Sequence, residues 1–393
     1  MLDHASVQFE APETVLDVEA AWQMRAALDK PPSLPLSDVI RRASMDSPAG
    51  SSWLSDFWRA LNGPGKLSAA EYFYYKLYDG RHSEDGITRF VGKTNQNKMH
   101  FACNDERWFA PSSDKLFFLA SMRGNDVATP ETLAVFDAKT GRSHPQLIKD
   151  IEGLIAFLDQ PENYPMFAKP IDGMYSIGAL ALTDGGRGSA HVRGAGEVST
   201  REIADYMFRV SDAGYLLQKT LNAAPDLASA FGGTLSSIRM LVCLGPGGAR
   251  LESAVVKIPT MDNVADNYWR GGNMLGAIEA DSGTITRIVT GTGPDIKCVV
   301  SHPDTGAMLL SRMLPHWADA KEMCLRAAGM LPGIRTQSWD IALTPDGPVA
   351  LEVNWGGDLN LHQLAHGHGA LTPSFCAHLR EAGYKGKLPK FDN

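Results

Sequence analysis

The chain has 393 residues, of which 44% are hydrophobic and 21% charged, an ordinary globular balance that excludes a largely disordered protein. The formal net charge is −8 and the Lys and Arg residues are scattered, which argues against nucleic-acid binding through a clustered basic patch. No apolar run reaches the roughly 20 residues that span a bilayer, and the opening MLDHASVQFEAPE lacks a charged-then-apolar leader, so a cytoplasmic protein away from membranes is expected.

Residues 1–80 read as mainly helical. ETVLDVEAAWQMRAALDK and LSDFWRALNG carry apolar residues at three- and four-residue spacing, PPSLPL (31–36) breaks the chain between them, and SAAEYFYYKLYDG (68–80) predicts an aromatic-rich core helix. From about residue 86 the pattern changes. ITRFVG and MHFACN predict short strands, SSDKLFFLASMRGN a helix capped by Ser/Asp and closed at Gly124, ATPETLAVF a buried strand, and HPQLIKDIEGLIAFLDQ another helix. The second half is strand-rich: FAKPI, SIGALALT, YLLQKTL, SIRMLVCLG, RLESAVVKIP, AIEADSGTITRIV and SWDIALTPDGPVALEVN, with hairpin turns at ADSGT and TPDGPV. The expected fold class is α+β, with a mostly antiparallel C-terminal sheet and no sharp linker. The five cysteines are far apart with no CxxC pair, which predicts buried structural thiols in a reducing compartment.

The strongest chemical signal is the hairpin of Trp339-Asp340-Ile341-Ala342-Leu343 and Leu351-Glu352-Val353-Asn354. Glu352 and Asn354 are two apart and share a sheet face, with Asp340 on the neighbouring strand. Two carboxylates and an amide carbonyl suit a hard cation such as Mg²⁺, because a carboxylate among apolar residues is costly without a partner. A second signal is Phe167-Ala168-Lys169-Pro170 followed by a Gly/Ser loop through Gly173, Ser176, Ile177 and Gly178, in which small residues let backbone amides approach phosphate. It is not a GxxxxGK[ST] loop, and a plain hairpin fits it equally well. Lys115, Arg239 and Lys257 add cations from separate elements. His362, His366 and His368 lie in LHQLAHGHG, but there is no HExxH, no GxSxG and no GxGxxG, so zinc, serine-hydrolase and dinucleotide chemistry lack support.

The order S-D-K, K-P with its Gly/Ser loop, Y-L-L-Q-K-x-L, S-x-R, V-V-K, W-D-I-A and L-E-V-N resembles the ATP-grasp superfamily. KIPTMDNVADNYWRGGN and LEVNWGGDLNLHQLAHGHG point to its sugar-transfer-associated, alpha-L-glutamate-ligase-related members. The resemblance covers roughly 112–385 and implies an ATP-grasp fold of two α+β subdomains gripping ATP, with an N-terminal helical and small α/β region over 1–110. The ATP-grasp domain would cover 111–385, with a mobile lid over 169–222 and a C-terminal subdomain over 223–385.

Residue by residue, the resemblance implies that Lys115 and Lys169 contact ATP phosphates beneath the 173–178 loop, that Gln218, Lys219 and Leu221 form the adenine hinge, and that Asp226 is the ribose candidate. Asp340, Glu352 and Asn354 would hold Mg²⁺, and Asn273, Asp358, Asn360 and His362 would line the substrate end. The Arg often found just before the first metal carboxylate is missing, since Gln337-Ser338-Trp339 stand there, so the catalytic role of facing the phosphoryl group falls to Lys257 with Arg239 or Arg335. The implied activity is an ATP-dependent carboxylate–amine ligase forming an acylphosphate and then an amide on a small amino-acid or sugar-acid substrate. A kinase on the same fold and a non-catalytic nucleotide-binding partner module are the alternatives, and a homodimer is left open.

Overall fold

The computed structural model describes residues 16–28, 36–47, 53–174, 176–260, 263, 266–268, 271–291 and 293–391. Most of PPSLPL and much of the stretch 261–270 therefore lie outside the described residues, as does residue 175 of the Gly/Ser loop.

Two seven-stranded sheets organise the chain. The first holds β1 (Thr132–Phe136), β2 (Leu147–Ile148), β3 (Met166–Pro170), β4 (Leu180–Gly186), β5 (Ser189–Val192), β6 (Gly196–Ser199) and β7 (Tyr215–Lys219), in the order β2-β1-β7-β3-β4-β5-β6. Only β1 and β2 run parallel. The second holds β8 (Ser237–Gly245), β9 (Gly248–Ile258), β10 (Met274–Ile278), β11 (Ile285–Thr290), β12 (Lys297–Cys298), β13 (Thr336–Thr344) and β14 (Gly347–Trp355), in the antiparallel order β12-β11-β10-β9-β8-β13-β14.

The second sheet is covered on both faces, which explains its nearly unbroken apolar strands. Ile238, Met240, Val242, Ala254 and Val256 face one core with the helices Lys115–Arg123, Pro225–Phe231 and Trp317–Ala328. Their neighbours Leu241, Cys243 and Val255 face the opposite way, against the N-terminal helices and the helices Leu359–His366 and Pro373–Glu381. The first sheet packs on the helices Ile151–Leu158 and Thr200–Val210, joined by Val18 and Ala21 of the helix Val18–Leu28.

Several sequence expectations change here. MHFACN is not a strand but the end of the helix Lys93–Cys103, whose buried face is Asn95, Gln96, Met99, His100 and Cys103. Three of these five, Asn95, Gln96 and His100, are polar, and an apolar-periodicity reading passes over them. ITRFVG straddles the end of the helix Glu84–Thr88 rather than forming a strand. The aromatic helix closes after Ala69–Tyr74, and Lys76 turns the chain at φ 54°. Four cysteines are buried as expected, but Cys298 is exposed on the short edge strand β12. A segment starting at residue 169 would cut β3, and the sheet continues through β7 into β1, so 169–222 is not a sheet of its own.

Candidate active site

Register places Arg239 of β8, Asp340 of β13 and Glu352 of β14 directly opposite one another across three strands, so their side chains share a face. Asn354 lies on that face two residues on, its Nδ2 3.5 Å from Glu352 Oε1. Arg239 grips Asp340 with both prongs, Nε to Oδ1 at 2.8 Å and Nη2 to Oδ2 at 2.7 Å. Lys257, from β9, donates to Oδ2 at 3.0 Å and lies 3.7 Å from Asp266 Oδ1. Burial raises the Asp340 carboxyl, but the Arg239 and Lys257 charges outweigh it and hold the group well below the usual carboxylate range.

Two further cations come from β3 and from the helix Lys115–Arg123. Lys169 sits on β3 opposite Leu216 of β7. Burial and then the Lys115 charge pull its ammonium down to about 8, while Glu352 and Asp340 act in the opposite direction, so Lys169 lies within electrostatic reach of both carboxylates on the second sheet. Lys115 opens its helix behind the Asp114 cap and donates through Nζ to the carbonyls of Gly173 (2.5 Å) and Ile171 (3.5 Å). That ties down the loop carrying Gly173, Ser176, Ile177 and Gly178. Ser176 and Gly178 adopt φ 57° and 77°, and a Cβ at Gly178 would lie 2.9 Å from Tyr215 Oη and from Val210 Cγ1. Tyr215 Oη donates to the Gly178 carbonyl at 3.0 Å.

Gln218 is buried on β7, and its Nε2 has no partner among the described residues. Lys219 is exposed, 3.9 Å from Glu131. The amides of Lys219 and Thr220 already donate to the Glu131 and Pro165 carbonyls. Leu221 follows, half-buried, and Asp226 is exposed in the first turn of Pro225–Phe231.

Arg335 is not brought to the cluster. It lies five residues before Asp340 on the same run, roughly 16 Å of strand, and binds the Leu244 carbonyl (3.2 Å) and Glu381 (3.0 Å). Asn273 is buried and holds a loop: its Oδ1 accepts from the Thr260 amide at 2.9 Å and its Nδ2 donates to the Asn267 carbonyl at 2.7 Å. Asp358 caps the helix Leu359–His366, Asn360 Oδ1 accepts from the Tyr75 hydroxyl, and His362 Nδ1 is 2.8 Å from Ser253 Oγ.

Sequence reasoning missed the residues that seat this end of the site. Gln363 accepts from the Val91 amide (2.7 Å) and donates to the Val91 carbonyl (3.1 Å) and to Tyr75 Oη (2.9 Å). Gln96 Oε1 accepts from the Leu359 amide at 2.9 Å, and His100 Nε2 lies 2.9 Å from the Gly357 carbonyl. The N-terminal layer thus holds the turn that follows Asn354. Nothing in the sequence announces contacts between segments so far apart.

The donor set suits a hard divalent cation, since Asp340, Glu352 and Asn354 supply only oxygen from adjacent strands. Asp340 and Glu352 stand directly opposite, an arrangement that like charges disfavour unless cations lie between or beside them. Among the described residues no cluster of three or more His, Cys, Asp and Glu forms a metal site, so any ion here rests on this pair and the amide. The oxygen chemistry of the set fits Mg²⁺, with Asp340 sharing its oxygens with Arg239 and Lys257.

A family model for sugar-transfer associated ATP-grasp proteins matches residues 95–376. The chain belongs to that family, and its two sheets with their helices are the ATP-grasp fold. A search of curated proteins finds no match. Similar solved structures include an L-amino acid ligase from Bacillus licheniformis, at 11% identity and TM-score 0.40, covering 72% of this chain and 50% of that one. A D-alanine-D-alanine ligase from Coxiella burnetii is similar at 12% and 0.40, covering 72% and 59%. The biotin carboxylase domain of a Hydrogenobacter thermophilus 2-oxoglutarate carboxylase, determined with MgADP and bicarbonate, is similar at 11% and 0.40, covering 77% and 55%. The chain spans between 50% and 59% of the length of these structures. No described helix is long and apolar enough to cross a membrane.

Proposed function

We propose that the chain is an ATP-dependent ligase that joins a small carboxylate substrate to an amine through an acylphosphate. One observation carries the reading: Lys169 from the first sheet lies within electrostatic reach of Asp340 and Glu352 on the second, where Arg239 and Lys257 also bind Asp340. Such a set answers the needs of phosphoryl transfer, in which positioning and charge neutralisation supply most of the catalysis.

In this reading Lys115 and Lys169 hold the phosphates beneath the Gly173–Gly178 loop, and the Gln218 amide, without a partner among the described residues, faces the base. Mg²⁺ on Asp340, Glu352 and Asn354 would supply charge neutralisation across the terminal phosphates. Arg239 and Lys257 orient the terminal phosphoryl group. A carboxylate oxygen of the substrate attacks the γ-phosphorus and ADP leaves. The amine then attacks the acyl carbon, inorganic phosphate leaves and the amine loses a proton. Closure over the cleft keeps water from the acylphosphate.

Purified protein with ATP, Mg²⁺ and a panel of amino acids and sugar acids tests this. ADP release that requires both a carboxylate and an amine, with an amide found by mass spectrometry, is the expected result. A phosphorylated product with no amide makes the chain a kinase, and nucleotide binding with no turnover on any substrate sinks the enzyme reading.

A further inference from the structure

We propose that His362 Nε2–H is a built hydrogen-bond donor for an oxyanion on the Arg239 face of the second sheet, with Ser253 and His366 as the positioning residues that set its tautomer. His362 is 3% exposed, and its Nε2 has no partner among the described residues. Buried polar atoms are rarely left so without a ligand or water to meet them.

The proton assignment follows from the partners. His366 Nε2 lies 3.1 Å from the Ala254 carbonyl, which can only accept, so that nitrogen carries hydrogen. The same nitrogen is 3.1 Å from Ser253 Oγ, so the hydroxyl oxygen accepts there. The Ser253 hydrogen then goes to His362 Nδ1 at 2.8 Å, which leaves the His362 proton on Nε2. Burial first, then His366 and Arg239, keep the ring neutral, so it holds one proton.

Position gives the ligand class. Ser253 stands two residues from Val255, the cross-strand partner of Arg239, and shares its face. Arg239 and Asp340 are close enough to act on the His362 ring. A neutral N–H donor within electrostatic reach of a guanidinium suits a carboxylate or phosphoryl oxygen. The site rests on the ligase reading only for which of these two sources supplies the oxygen.

Nitrogen NMR of the full chain labelled with ¹⁵N-histidine tests it, with His362→Gln to assign the signal. Ser253→Ala, which keeps the ring, provides a second assignment if that variant fails to fold. The wild-type ring is expected to be protonated on Nε2, and Ser253→Ala is expected to mix the tautomers. Succinate shifting the Nε2 signal marks a carboxylate subsite. A shift only with Mg²⁺ and a non-hydrolysable ATP analogue marks a phosphoryl subsite. A proton on Nδ1, or a signal that neither probe moves, overturns the proposal. Calorimetry with the same analogue keeps the two ideas apart: no nucleotide binding together with a succinate shift fails the ligase and leaves the subsite standing.

Discussion

Asp340 and Arg239 face each other on adjacent strands in a two-pronged ion pair, buried on the face of the second sheet that also carries Leu241 and Val255. Removing one partner of such a pair strands the other charge, and Lys257 alone compensates only in part. Arg239→Met is expected to lower unfolding free energy by about 3 kcal/mol. Because the variant frees Asp340 Oδ1, Mg²⁺ should raise its Tm more than that of the wild type. Equal Mg²⁺ responses in thermal unfolding would count against Asp340 as a metal ligand.

Glu352 is half-buried, and its Oε1 lies 3.5 Å from the Asn354 side-chain amide. Glu352→Gln keeps the shape and removes the charge a cation would need. ADP formation is expected to fall at least about 100-fold, the scale for losing one element of transition-state charge stabilisation, with an unchanged circular dichroism spectrum. Near-normal turnover would remove Glu352 from the metal set.

Lys169 titrates near 8 in the free protein, so above that pH the cleft has lost a cation. A triphosphate binding beside it favours the charged form and draws a proton back. Affinity for an ATP analogue is therefore expected to weaken as pH rises past about 8, with net proton uptake seen by calorimetry in buffers of different ionisation enthalpy. Lys169→Ala should bind roughly tenfold or more weakly and show a flatter pH profile, since a charge-assisted bond is lost.

His100, His366 and His378 are each pulled down to about 4, with burial the first cause in every case. The unfolded chain protonates them near 6.5. Between about pH 6.5 and 4 the unfolded state therefore binds more protons, so stability falls as pH falls through that window. Urea midpoints measured across it should drop steeply. A flat profile would mean that these rings are hydrated in solution.

The first sheet is continuous from β2 to β6, and we expect it to move as one body rather than as 169–222 alone. Hydrogen exchange with and without an ATP analogue should show altered protection bounded near residues 132 and 219. A change confined to 169–222 would restore the smaller lid.

What the sequence made legible was local. The Asp-Gly turn and the two-residue spacing of Glu352 and Asn354 suffice to put them on one face, and the register sets Glu352 opposite Asp340 and Asn354 opposite Ser338. Arg335 and Arg239 were equal candidates because strand pairing, not spacing, decides which guanidinium meets Asp340. The helix Lys93–Cys103 was hidden because three of its five buried side chains, Asn95, Gln96 and His100, are amides and an imidazole serving distant backbone. The union of β7 with β1 joins residues some eighty apart, which no local pattern records.

The clasp of Gln363 on Val91 and Tyr75 reaches upstream of residue 95, where the family match begins. A chain shortened to that boundary would keep every strand of both sheets yet bare Leu361, Leu364 and Ala365, which the aromatic layer now covers. Heredity should feel the same constraint. Residues 66–92 and 359–371 form one unit of exchange, so a recombinant that takes the first from one relative and the second from another should fold poorly even when each half is sound.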